Sequence, residues 1–114
     1  MNKKITAVLV LTMLMSVSAF AQKTPPAEIE GLLKKHICLA CHKVDARLVG
    51  PAYEEVAKKK YSVDEMVELI YAPKPEHWPG YPAMAAMKQV PKDDATKIAK
   101  WINSLAKSDK KKKA

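Results

Sequence analysis

Two cysteines three positions apart and a histidine directly after them, Cys38-Leu39-Ala40-Cys41-His42, carry the clearest chemistry in this sequence. Each thiol can add to one vinyl group of a porphyrin, and the histidine is then placed to bind iron, so the C-x-x-C-H run reads as the attachment site of a c-type haem. Other uses of a C-x-x-C pair fit less well. A structural zinc site draws on four ligands, commonly two separated pairs, and these are the chain's two cysteines. His36 and His77 do not lie at finger-like spacing from them. A thioredoxin-like dithiol follows a strand in a βαβ unit, and the chain has no strand pattern. A disulfide across so short a loop would contribute little.

Iron bound by His42 has a second axial position, and what fills it separates an electron carrier from a gas binder or a peroxidase. The candidates are Met84 and Met87, in the proline-rich stretch 73–91, with His77 earlier in the same stretch. A thioether is a soft ligand that favours ferrous iron and raises the potential. Either methionine alone reads equally as core filler. In a rigid loop opposite a C-x-x-C-H site, ligation is the better reading.

The elements that must hold these residues are helices. Thr24-Pro25-Pro26 suits a helix start, with Thr24 as cap and Pro25 in the first turn. Ile29, Leu32, Leu33 and His36 then share one face, and His36 reads as a packed residue rather than a ligand. Gly50-Pro51 marks a turn, with Pro51 opening a short helix whose apolar face is Ala52, Tyr53, Val56 and Ala57. Ser62-Val63-Asp64-Glu65 is a capping-box pattern, and the helix it starts must end near Ala72, before Pro73. Five prolines between 73 and 91 leave no regular element there. Asp93 or Asp94 is placed to cap a final helix with Ala95, Ile98, Ala99 and Ile102 on its core face.

Residues 1–21 have the form of a cleaved export signal: Lys3 and Lys4, an apolar run from Ile5 to Phe20, then Ala19-Phe20-Ala21 before the cut. The apolar run is shorter than the ~20 residues a membrane span needs, so no stable membrane insertion is expected. Cleavage leaves 93 of the 114 residues and, with Lys3 and Lys4 gone, lowers the formal charge from +8 to +6. A domain that small leans on a staple, and a covalent porphyrin would be one. The expected organisation is a leader at 1–21, one domain at 22–109 and an unstructured lysine tail at 110–114. The basic balance suits an acidic protein partner. Nucleic acid is not expected, because no binding motif accompanies the charge.

The chain as a whole resembles the class I cytochromes c, of the short monohaem bacterial kind. The segments that carry the resemblance are Cys38-Leu39-Ala40-Cys41-His42, Leu48-Val49-Gly50-Pro51-Ala52-Tyr53, Tyr81-Pro82-Ala83-Met84 and Val90-Pro91-Lys92-Asp93-Asp94 leading into Lys100-Trp101-Ile102. It implies an all-α fold of about four helices wrapping one haem c, with the first and last helices crossing. It also implies that Cys38 and Cys41 bond the haem and that the Pro51 carbonyl accepts from the ring nitrogen of His42 facing away from iron. Met84, six residues before Val90, stands where the family's sulfur ligand stands, and Trp78 resembles the aromatic that bonds a propionate. The loop before Met84 is richer in proline than is usual in the family, and Pro91 stands where a serine cap is common.

The expected function is one-electron transfer in the periplasm by a monomer that catalyses no reaction. The partners would be redox proteins with an acidic docking patch, facing a rim of Lys43, Arg47, Lys74 and Lys88. The rival readings are a haem subunit of a periplasmic oxidoreductase or peroxidase complex, and a haem gas sensor.

Overall fold

Four amphipathic segments bury their apolar faces against one another, and the last of them is the hub. The structure, a computed structural model, describes residues 24–112. The proposed leader lies outside the described residues. Helix α1 spans Ala27–Lys35, α2 Tyr53–Lys58, α3 Val63–Tyr71 and α4 Lys92–Lys112, with short 3₁₀ turns at Cys38–Ala40 and Pro75–His77. No strand occurs among the described residues, so the all-α expectation holds. None of the described helices is long and apolar enough to cross a membrane.

Helix α1 places Glu28 and Glu30 in its first turn and Lys34 and Lys35 in its last, matching charge to the helix dipole. It starts after Pro26, whose carbonyl accepts from Glu30 N–H at 2.9 Å, so Pro26 and not Thr24 stands at the cap position. Ile29 and Leu33, one turn apart, are the residues it buries. The helix ends at His36. Ile37 then takes φ 60°, a left-handed conformation rare for a β-branched residue, and turns the chain into the cysteine motif.

Helix α2 begins at Tyr53 rather than at Pro51. The capping box of α3 forms as its sequence dictates. Glu65 N–H donates to Ser62 Oγ at 3.1 Å and Ser62 N–H to Glu65 Oε2 at 2.7 Å, a cap whose loss costs about 1 kcal/mol.

Helix α4 packs against α1, α2 and α3 in turn. Ala95, Ile98, Ala99, Trp101, Ile102 and Leu105 are its buried residues, and with Leu33, Met66 and Val67 they form one core. Asp93 and Asp94 do not cap it. They sit in its first turn, and the Pro91 carbonyl receives Ala95 N–H at 3.0 Å. Asp94 instead accepts from His36 Nε2 at 2.8 Å, with Lys35 Nζ at 3.5 Å, tying α1 to the start of α4. That bond gives His36, 8% exposed, a polar partner in its buried place. The helix continues to Lys112, so Lys110, Lys111 and Lys112 extend it instead of forming an unstructured tail.

Candidate cofactor site

The cysteine motif is shaped by a 3₁₀ turn. The Cys38 carbonyl accepts from Cys41 N–H at 3.2 Å and from His42 N–H at 3.0 Å, which brings the two thiols and the imidazole to one wall. Both cysteines are free thiols, Cys38 half-buried and Cys41 exposed. Burial pushes the Cys38 thiol above its ordinary range, an effect that the nearby Tyr53 hydroxyl opposes.

His42 is constrained by the segment that follows it. Its Nδ1 lies 2.8 Å from the Pro51 carbonyl. A carbonyl only accepts, so Nδ1 carries the proton and Nε2 keeps a lone pair for a metal. Burial holds the imidazole below the usual histidine range despite that hydrogen bond, which favours the neutral, ligating form. Gly50 N–H donates to the Cys41 carbonyl at 2.7 Å and so draws the Gly50 backbone onto the ring. A Cβ at Gly50 would come within 2.7 Å of His42 Cε1, closer than real side chains approach. The Tyr53 ring stacks on the imidazole at 4.9 Å and 18°.

Across from this wall the proline-rich loop is held by cations on aromatic rings. Arg47 donates from Nη2 to the Gly80 carbonyl at 2.8 Å and lies 3.9 Å above the Tyr81 ring. Gly80 accommodates that turn with φ +84°. Tyr81 meets Trp78 edge-on at 5.9 Å, and Lys59 Nζ lies 4.7 Å from the Trp78 ring centre while donating to the His77 carbonyl at 3.1 Å. His77 stacks on Tyr61, with Nδ1 2.8 Å from the hydroxyl. Arg47, expected on the sequence to stand on a basic rim, is exposed and also straps the loop.

Between the two walls is a mainly apolar cavity of about 350 Å³, floored by Met66, Ile70, Ile98 and Ile102. Cys38, Cys41, His42, Pro51, Trp78 and Met84 all line it, as do Met87 and His77. The two methionines differ in their attachment. Met87 donates its N–H to the Ile70 carbonyl at 3.0 Å and packs against the core. Met84 is 42% exposed and stands apart from the core cluster. Two free thiols, an imidazole with one nitrogen committed, a thioether across an apolar gap and cations at its edge fit a covalently held, iron-bearing porphyrin. Sequence reasoning passed over Gly50 and Tyr53 as site residues. Tyr53 reads there as one of four apolar positions on a short helix.

No protein-family model matches the chain. Individual relatives do. The chain is 32% identical over 98 residues to cytochrome c-551 of Pseudomonas aeruginosa, an alignment covering 82% of this chain and 92% of that protein. It is 36% identical over 80 residues to cytochrome c-552 of Hydrogenobacter thermophilus, covering 67% and 80%. Against cytochrome c2 of Rhodocyclus tenuis the figures are 33% over 92 residues, 75% of this chain and all of the relative. The crystal structure of Nitrosomonas europaea cytochrome c552 superposes with a TM-score of 0.62 at 31% identity, covering 67% of this chain and 98% of the neighbour. The chain belongs to the class I cytochromes c, small electron carriers, not enzymes, that hold one haem c covalently.

Proposed function

We propose that this protein is a monomeric periplasmic electron carrier in which Cys38 and Cys41 form the thioether bonds and the iron is held between His42 Nε2 and Met84 sulfur. When bound, the haem supplies the redox chemistry, its iron passing one electron between the ferric and ferrous states. The residues of this chain set how easily that happens. Pro51 keeps His42 in the tautomer that presents Nε2. The apolar floor keeps water from the site, and a sulfur ligand favours the reduced state.

The observation that carries this reading is the pairing across one cavity of an oriented imidazole with a thioether that the core does not claim. Met87 is tied to α3 through Ile70, which supports Met84 as the sixth ligand, with Met87 next and His77 after it. Trp78, on the cavity wall with Lys59 over its ring, supports a role for the indole N–H and the ammonium in meeting an anionic propionate. Lys43, Lys74 and Lys88 are exposed and suit a redox partner with an acidic patch. The leader pattern at 1–21 is what supports the periplasm.

Visible spectra of both oxidation states, taken with an acidified organic extraction, test the reading. Low-spin bands, a ferric sulfur-to-iron charge-transfer band and colour that stays with the polypeptide are expected. Haem extracted in full from matured protein, or a high-spin ferrous spectrum, would overturn it.

A further inference from the structure

The hydrogen bond from His42 to Pro51 settles the tautomer of the imidazole but not its plane. A histidine ring turns about a broad terminal torsion, and one bond at Nδ1 leaves part of that rotation free. Two other contacts restrict it. Tyr53, 5% exposed at the first position of α2, lies nearly parallel to the imidazole at 18°. Trp101 of α4, 8% exposed, meets the same tyrosine edge-on at 5.4 Å and 79°, so the tyrosine ring is itself braced by the hub helix. Gly50 brings backbone so near that a Cβ there would stand 2.7, 3.0 and 3.2 Å from Cε1, Nδ1 and Nε2. A ring turned out of its present plane would strike one or the other.

We infer that Tyr53 is a positioning residue for electron transfer: its ring, braced by Trp101 and aided by the close approach of Gly50, fixes the plane of the His42 imidazole. A ligand that cannot turn need not rearrange when the iron changes charge. Preorganised surroundings lower a barrier in this way, by having no reorganisation left to perform. The Tyr53 hydroxyl faces Cys38, and the ring and the hydroxyl are separable by substitution.

The inference rests on His42 ligation, which the spectra of the unsubstituted holoprotein test first. The variants are Tyr53→Phe, Tyr53→Leu and Gly50→Ala, each matured with haem. Two readouts apply: the proton shifts of the haem methyls in the ferric state, which report the imidazole plane, and the self-exchange rate between oxidised and reduced protein. Tyr53→Phe should match the unsubstituted protein in both. Tyr53→Leu and Gly50→Ala should redistribute the methyl shifts and slow self-exchange at unchanged net charge. If Tyr53→Leu does not mature, Trp101→Phe, which alters the edge that braces Tyr53 without touching His42, decides in its place by the same two readouts. Unchanged shifts and rate in the variants that mature would overturn the proposal. A Tyr53→Phe variant altered as far as Tyr53→Leu would overturn it too, by assigning the effect to the hydroxyl. Loss of His42 ligation in the unsubstituted protein would overturn the parent reading, and is distinguishable because no substitution is involved.

Discussion

On the His42 side of the cavity the holding contacts are short in sequence. The imidazole and its Pro51 acceptor are nine positions apart, and the Tyr53 ring is only two residues further on. On the Met84 side the contacts reach across 16 to 33 positions: Tyr61 to His77, Lys59 to His77, Tyr71 hydroxyl to the Val90 carbonyl, Arg47 to Gly80. On the first wall Pro51 and Tyr53 are buried and Cys38 and His42 half-buried, whereas Pro82 to Ala86 are all exposed. One proposed ligand is thus held by its own neighbourhood, and the other stands on a loop held by contacts from distant segments. Local opening should begin at the loop, because exposed segments with few buried contacts open at the lowest free energy.

The largest effect is expected from removing the anchor on the short-range side. Replacing Cys38 and Cys41 together by alanine should abolish covalent attachment and, with the cavity of about 350 Å³ left without its staple, much of the helical fold. Circular dichroism and the extraction assay measure both; a fully folded, coloured double variant after extraction would contradict it. Next comes the long-range side. Met84→Ala should erase the ferric charge-transfer band and lower the potential. Met87→Ala should leave both nearly unchanged and cost about 2 kcal/mol of stability, the low end for losing a methionine that is only partly buried. The reverse pattern would move ligation to Met87.

A contact outside the cavity lining separates frame from site. Hydrogen bonding from His36 holds the Asp94 carboxyl below the ordinary aspartate range. Its folded value is depressed, so the stability it contributes is present above the unfolded value of about 4 and is lost as pH falls through the folded one. Asp94→Asn should therefore lower the melting temperature at pH 7, with the deficit shrinking in acid, while the charge-transfer band stays. A variant as stable as the parent at pH 7 would remove this tie from the account.

Legibility follows the same division between near and far. The C-x-x-C-H run, the capping box at Ser62 and the core face of α4 are patterns within a few residues, and each could be read directly. What could not be read depends on partners distant in the chain. Asp94 looks like a cap until His36, 58 positions away, is placed beside it. Arg47 looks like a rim charge alone until the loop folds back and offers Tyr81 and the Gly80 carbonyl as well. Tyr53 looks like ordinary core because a helical face does not say which ring it stacks on. The run of lysines after Lys107 argues against helix by charge, yet α4 carries it as far as Lys112 because packing has already fixed the preceding turns.

The strap itself gives a smaller, graded test. A cation over a ring near the surface contributes about 0.5–1 kcal/mol. Arg47→Ala or Lys59→Ala should therefore make the sixth position about two- to five-fold easier for added imidazole to occupy, by that same free energy. The His42 side should not respond, and the covalent bonds should stay intact. Equal imidazole affinity in the parent and both variants would mean that the cation contacts do not govern the loop.

The smallest effect concerns the outer surface, where charge governs encounter rather than ligation. Lys43, Arg47, Lys74 and Lys88, the expected rim, are all exposed, and Arg47 is also held in the strap. Charges at a rim steer partners and raise the association rate, and salt weakens them because the Debye length is only about 10 Å at 0.1 M. Electron transfer to an acidic acceptor should then slow as ionic strength rises, and Lys88→Glu should flatten that dependence. Arg47→Glu adds a contrast that the strap makes possible. It should flatten the dependence too, but also raise imidazole access, because it removes a loop contact along with a charge. Lys88→Glu should leave imidazole access alone. Truncation after Ser108 removes Lys110 to Lys113 and tests long-range attraction by itself: a uniform fall in rate at low salt, without any change in the sixth ligand, would assign those lysines to steering. Rates indifferent to salt in all of these proteins would show that the basic surface does not select the partner.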